Sequence, residues 1–299
     1  MSIGRKPAAE IVIDESLVRA LLREQHADLA DLPLVEVGEG WDNKLFRLGE
    51  TLAIRVPRRA IAAPLVDQEQ RWLPHVSPRL PVPIPAPVRI GRPGSGFPWS
   101  WSVVPWFTGQ SVARADQVDF ESLAFELGNF LRALHHPAPR DAPRNPWRES
   151  LRARAAITLQ QLERVESLVD RRAVVALWDR ALATPAWEGP PLWLHGDLHP
   201  GNLLLDEGRL SAVIDFGDMT SGDPAIDLSV GWGLFPTSVR SVFRGTARNE
   251  WNPVDDPTWM RARGWALALG LAYLANSKDD AAFSAVGLRY VERALENGS

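Results

Sequence analysis

No cysteine occurs among the 299 residues, which excludes disulfides, thiolate zinc sites and a cysteine nucleophile. A surplus of charge of one sign is also missing. With 33 basic and 37 acidic residues the net charge is −4, so there is no excess of Lys and Arg to neutralise a nucleic-acid backbone. Long apolar runs are absent too. ALALGLAYLA at Ala266–Ala275 is too short to span a bilayer and reads as a core helix. The opening MSIGRKPAAEIVIDES lacks the apolar stretch of a signal peptide. These absences predict a cytoplasmic protein with neither a nucleic-acid nor a membrane partner. What is present is ordinary for a globular chain, 45% hydrophobic and 23% charged, and long enough for two lobes.

Asp14 reads as the cap of a helix with Leu17, Val18, Leu21, Leu22 and Leu29 at helical spacing. LPLVEVGE, NKLFRLG and TLAIRVP follow as strands, the last two joined by a Gly49-Glu50 turn. Ala63–Leu73 has helical character, and the proline-rich LPVPIPAPVRIGRPGSGFPW must be extended or turn. SWSVVPW is a strand that ends at Thr108-Gly109. Helices are then predicted over Asp119–His136, most of Trp147–Asp170, and Ala173–Ala183. LWLH, NLLL and LSAVID are short strands, and the remainder is mostly helical. No internal repeat is visible. A strand-rich first third and a helix-rich remainder predict an α+β, bilobal architecture. Its parts are a small N-terminal lobe over 1–104, a hinge over 105–109 and a larger helical lobe over 110–299.

Between Leu192 and Leu228 two histidines, an asparagine and six aspartates crowd against apolar runs. His195-Gly196-Asp197-Leu198-His199-Pro200-Gly201-Asn202 has the spacing H-x-D-L-x-x-x-N, and Asp215-Phe216-Gly217 begins thirteen residues after Asn202. Both match the catalytic loop and metal-binding D-F-G of protein kinases. The chemistry explains these residue types. Moving a γ-phosphoryl group needs Mg²⁺ on hard oxygens, which Asn202 and Asp215 supply. It also needs a carboxylate that orients the acceptor hydroxyl and takes its proton, which Asp197 supplies. Asp206 and Asp223 read as turn or cap residues. His195-x-Asp197 also matches the start of a two-His-one-carboxylate iron site. No histidine follows His199, however, and three ligands within five residues make a poor set.

The first lobe supplies complementary groups. In Thr51–Val56, Leu52, Ile54 and Val56 share one face while Ala53 and Arg55 share the other. A small residue two before a cation is the kinase V-A-I-K pattern, with arginine here in place of lysine; the other reading is an edge-strand arginine snorkelling to solvent. Glu69, fourteen residues on, is the acid expected to pair with Arg55, with Asp67 as fallback. Gly38-Glu39-Gly40-Trp41-Asp42-Asn43 is either a phosphate cover contributing Asn43 or an ordinary hairpin turn.

Together GWDNKLFRL, LAIRVPRR, LRALHH, WLHGDLHPGNLLLD and VIDFGDMTSGDPAIDL resemble the aminoglycoside phosphotransferase family of small-molecule kinases, from about Val35 to Trp232. Gly196, where protein kinases carry arginine, and Gly222-Asp223-Pro224 with Asp227 favour that family. The resemblance implies a protein-kinase-like bilobal fold, Mg²⁺, and ATP or GTP as donor. By position Asp197 would be the base, Asn202 and Asp215 the metal ligands, His195 and Asp227 structural supports. Val104 would back the base pocket, and the Pro105 carbonyl and Phe107 N–H would meet the base edge, because Pro105 has no N–H.

The family resemblance implies a small hydroxylated acceptor, either an antibiotic (an aminoglycoside or macrolide) or a metabolic alcohol of amino-sugar, choline or homoserine type; no feature points to a protein substrate. A catalytically inactive binding module has no support in the residues. Acceptor contacts are expected from Asp218 and from Glu250, Trp251, Asp255 and Trp259, whose acidic and aromatic side chains suit a cation. Asp255-Asp256-Pro257 also reads as a helix cap.

Overall fold

The computed structural model describes residues 8–277 and 280–296; the first seven, part of the opening segment read above for a leader, lie outside them. The Asp14 side chain accepts the Leu17 N–H at 2.9 Å and starts α1 (Glu15–Gln25), which buries Val18, Leu21 and Leu22. Three antiparallel strands follow, β1 (Leu34–Glu39), β2 (Asn43–Leu48) and β3 (Leu52–Pro57). After α2 (Ala63–Val76) come β4 (Arg89–Gly91) and β5 (Trp101–Pro105), completing a sheet of order β1-β2-β3-β5-β4. Alternation along β3 works as expected. Ile54 and Val56 join α1 in one core with Phe46, Leu48 and Val103, and Ala53 and Arg55 face the other way. Only β4 emerges from the proline-rich passage as regular structure.

Residues 106–109 lead to β6 (Gln110–Ser111), which is followed by α3 (Phe120–Leu134). The helix expected over Trp147–Asp170 is two pieces. Pro146–Arg148 is a separate 3₁₀ turn, and Ser150 recaps the chain by accepting the Ala153 N–H at 3.1 Å, so α4 spans Leu151–Val165. Asp170 caps α5 (Arg171–Ala183), two residues ahead of its expected start. Next are β7 (Leu192–Leu194), β8 (Leu203–Asp206), β9 (Arg209–Val213) and β10 (Thr220–Gly222), then α6 (Ala225–Leu234), α7 (Thr237–Thr246), α8 (Asp256–Asn276) and α9 (Ala281–Leu295). β6, β8 and β9 form one small sheet, and β7 pairs with β10. β10 went unforeseen because three residues carry no periodicity.

A second core gathers α3 to α9 around α8, which is buried along most of its length. Trp72, Leu73 and Val76 at the end of α2 belong to it as well, so α2 packs its C-terminal half on the helical core. Among the described residues no helix is long and apolar enough to cross a membrane. Asp223, read as a cap, accepts the Ala225 N–H at 3.0 Å and also pairs with the Arg261 guanidinium of α8 at 2.6 and 3.2 Å. Both side chains are nearly excluded from water, at 11% and 7% exposure. Asp223→Ala leaves Arg261 charged and unpaired, so a loss of about 3–5 kcal/mol is expected in equilibrium urea unfolding. An unchanged midpoint would contradict this role.

Candidate active site

The loop after β7 is held from below by one buried carboxylate. Asp227, in the first turn of α6 and without solvent exposure, accepts the N–H of His195 at 2.8 Å and of Gly196 at 2.9 Å. The His135 Nε2 lies 3.3 Å from the same carboxylate. Gly196 has φ +84°, and a Cβ there would stand 2.2 Å from the Asp218 carbonyl oxygen. Glycine is therefore required both by backbone conformation and by space. The His195 ring is spent on structure: Nε2 donates to the Ile214 carbonyl at 3.0 Å and Nδ1 accepts the Asp197 N–H at 3.3 Å. Neither nitrogen is left for a metal, which removes the iron reading.

Asp197 projects from this loop. Arg148 donates to its Oδ1 at 2.9 Å and reaches Asp218 Oδ2 at 3.4 Å, while His199 Nε2 is 3.6 Å from Asp197 Oδ2. Burial pushes the Asp197 carboxyl up, but Arg148, then His199 and His195, outweigh it and hold the group below the usual carboxylate range. Burial dominates at Asp218 and raises its carboxyl despite Arg148. Asn145 Nδ2 donates to Asp218 Oδ1 at 3.0 Å. Arg148 was not singled out in the sequence. It is one of several arginines in PAPRDAPRNPWRES, and nothing local marks the one that folds back.

Across the cleft, Arg55 donates to Glu69 at 2.8 Å and its other terminal nitrogen lies 3.7 Å from Asp215. Burial opposes the charge on Arg55, but Glu69 and Asp215 more than compensate, so its pKa is raised. Burial likewise pushes Glu69 up against the pull of Arg55. Ala53 pairs across strands with Val104, and Arg55 with Ser102, so Ala53, Val104 and Arg55 share the face turned toward α2 and the cleft. Just after β5, Trp106 N–H donates to the Thr51 carbonyl at 2.8 Å. The Phe107 N–H beside it has no partner among the described residues. The Gly38–Asn43 loop is a bulged turn, with Gly38 at φ +151° and Gly40 N–H donating to the Asn43 carbonyl at 2.8 Å. Arg58 and Arg59, also unforeseen, pin it through the Gly40 carbonyl at 3.0 Å and Asp42 at 2.8 Å. Asn43 Oδ1 is buried without a partner.

The donor set suits Mg²⁺. Asn202 Nδ2 donates to the Asp197 carbonyl at 3.0 Å, leaving Oδ1 as the free end of the amide. Ile214 N–H donates to the Asn202 carbonyl at 2.9 Å, which brings Asp215 alongside. Asp215 sits at φ +65° with its side chain 61% exposed, against 27% at Asp197 and 39% at Asp218. One amide and one carboxylate oxygen are too few for an all-protein cage, but they match an ion that keeps water and takes phosphate oxygens.

The acceptor residues expected beyond Asp227 are not at this site. Asp255 caps α8 by accepting the Thr258 N–H at 2.9 Å. Trp259 is 4% exposed and stacks on Trp232 with ring centroids 5.1 Å apart. Glu250 and Trp251 lie in a loop where Asn249 donates to the Arg132 and His135 carbonyls and Asn252 to His135 Nδ1. This loop backs the Asp227 support and does not face Asp197. Of the five residues expected to bind the acceptor, only Asp218 stands beside Asp197, sharing Arg148 with it.

A kinase-like α+β fold with a carboxylate, an amide and a D-F-G aspartate converging on a cleft defines a phosphotransferase. The sequence profile of the phosphotransferase enzyme family, APH, matches residues 33–265, and the chain belongs to that family. A solved structure of aminoglycoside 2'-phosphotransferase-IIIa in complex with GDP is similar over 95% of this chain and 99% of that one, with TM-score 0.70 and 20% identity. A macrolide 2'-phosphotransferase from Brachybacterium faecium is similar over 96% and 99%, with TM-score 0.59 and 22% identity. These likenesses show the fold. A curated relative, the 3-deoxy-D-manno-octulosonic acid kinase of Stenotrophomonas maltophilia (strain K279a), is 36% identical over 95 residues. That match spans 31% of this chain and 38% of the relative.

Arg148→Met removes the cation that favours ionised Asp197. The acid limb of the kcat/KM–pH profile is then expected to move to higher pH, because a carboxyl freed from its guanidinium protonates earlier on acidification. Superimposable profiles for the two proteins would show that Arg148 does not set this ionisation.

Proposed function

We propose that the protein transfers the γ-phosphoryl group of ATP or GTP to a hydroxyl of a small molecule. The observation that carries this reading is a partly exposed carboxylate, Asp197, on a loop whose backbone is fixed by a buried acid, with Asn202 and Asp215 beside it. The acceptor oxygen attacks the γ-phosphorus as the bond to the β–γ bridging oxygen breaks, and its proton passes to Asp197. Arg148 occupies Oδ1, so Oδ2 is the oxygen that meets the hydroxyl. Arg55 supplies a guanidinium for phosphate oxygens, oriented by Glu69. Ala53 and Val104 contact the base, and the Phe107 N–H donates to its edge. Mg²⁺, held by Asn202 and Asp215, supplies charge neutralisation on the phosphates. The strand-rich part would thus carry the nucleotide, and the helical part the base and acceptor.

The acceptor is small, because only nine residues lie between Gly217 and Asp227 and β10 occupies three of them. No room remains for a peptide-binding segment. An aminoglycoside or macrolide is the acceptor class suggested by the similar structures. A metabolic alcohol is the second reading. It is favoured because a guanidinium, rather than an open acidic patch, stands at Asp197, and because a curated relative is named as a sugar-acid kinase.

Calorimetry with a non-hydrolysable ATP analogue is expected to show binding that EDTA weakens. A screen of kanamycin, erythromycin, 3-deoxy-D-manno-octulosonate, choline and homoserine then reads turnover. Asp197→Asn should keep nucleotide affinity and lower kcat by at least ~10², since it removes proton acceptance without touching the metal ligands. Near wild-type turnover in that variant would rule Asp197 out as the base.

A further inference from the structure

One charge beside the catalytic carboxylate has no use in the reaction described above. Arg154 lies on the buried face of α4, six residues after Arg148, and is only 8% exposed. Its Nε is buried without a hydrogen-bond partner, and no carboxylate among the described residues pairs with it. The guanidinium rests 5.9 Å from the centre of the Trp265 ring on α8. Other buried arginines are accounted for. Arg263, for example, spends its donors on the Ala294 and Glu296 carbonyls at 2.6 and 2.7 Å. Burial, with Arg148 as the next cause, pulls Arg154 down to about 10, which still leaves it charged at neutral pH. A buried cation without a counter-charge is costly, so such a group is kept where something else pairs with it.

Its surroundings are unfinished in the same way. Two turns along the same helix face, Gln161 is 5% exposed and its Oε1 has no partner. From α8 the Tyr273 hydroxyl is buried and unpartnered. Tyr273 packs edge-on against His199 with ring centroids 5.7 Å apart, and His199 Nε2 is 3.6 Å from Asp197 Oδ2. A stripe of unmet polar groups between α4 and α8 therefore begins at the base.

We propose that Arg154, with the Tyr273 hydroxyl, binds a carboxylate of the acceptor, placing a hydroxyl of the same sugar acid or hydroxy acid at Asp197. This rests on the kinase reading above and chooses within it. Arg148 already stands beside two carboxylates, Asp197 and Asp218, whereas Arg154 has no carboxylate of the described residues within ion-pair distance. A planar carboxylate matches a guanidinium fork, and an ammonium group would be repelled by Arg154.

The test is equilibrium binding of D-glucuronate, D-glucose and D-glucosamine to the full chain carrying Mg²⁺ and a non-hydrolysable ATP analogue. The three sugars share a pyranose ring and differ in charge. Glucuronate alone is expected to bind. Arg154→Met should weaken it at least ~10-fold, as loss of a charge-assisted contact does, and Arg154→Lys should restore part of the affinity. Tyr273→Phe provides an independent variant should Arg154→Met fail to fold, and it too should weaken glucuronate. Nucleotide affinity should be unchanged throughout. Binding of glucose or glucosamine as tight as glucuronate, no binding of glucuronate, or unaltered affinity in the variants would overturn the proposal. Failure of the nucleotide itself to bind would count separately, against the kinase reading.

Discussion

The site depends on one carboxylate that never meets solvent. Asp227 would be costly to bury as a charge, and the chain meets that cost with two main-chain N–H groups, His195 and Gly196, and the His135 ring. Its place in the first turn of α6 adds the positive end of the helix dipole. His135 in turn is set by Asn252 Nδ2, which donates to Nδ1 at 3.0 Å and leaves Nε2 as the donor toward Asp227. The end of α3, the start of α6 and the loop before α8 thus converge on a single acid. That acid fixes the backbone from which Asp197 projects.

Electrostatics at the surface of this loop follows from what the backbone permits. Gly196 lets the chain pass within contact of the Asp218 carbonyl, which brings the Asp218 and Asp197 carboxylates to one terminal nitrogen of Arg148. A shared cation keeps two neighbouring acids compatible, and their carboxyls move in opposite directions, Asp197 down and Asp218 up. Across the cleft Arg55 repeats the pattern, standing between Glu69 and Asp215. Each guanidinium bridges one acid that would act or bind a metal and one that orients it.

Much of this was legible in the sequence because phosphoryl transfer sets local spacings. The run from His195 to Asn202 and the D-F-G after it are near-contiguous, which puts the side chains of Asp197, Asn202 and Asp215 at adjoining strand ends. The period-2 alternation of β3 likewise gave the face of Arg55, and the short helix that follows placed Glu69 in reach. What failed depended on tertiary packing. Acidic and aromatic residues in 250–259 suggested a cation pocket, but composition does not distinguish an exposed tryptophan from Trp259, or a binding acid from the cap Asp255. Arg148 comes from an irregular proline-rich stretch without periodicity. Arg154 carried a faint signal: α4 buries Leu151, Arg154, Thr158, Gln161, Leu162 and Val165, and polar residues on a helix stripe that should be apolar mark either a buried network or a ligand.

The central claim, that Asp227 fixes the 195–202 loop, is tested most directly by hydrogen–deuterium exchange on Asp227→Asn. Asparagine offers one acceptor oxygen and turns a donor toward the second backbone N–H, so one of the two loop bonds must break. The account predicts faster exchange confined to 195–202 and the adjoining end of α3, with the β1–β5 sheet unchanged. Protection of 195–202 equal to that of the unaltered chain would contradict it.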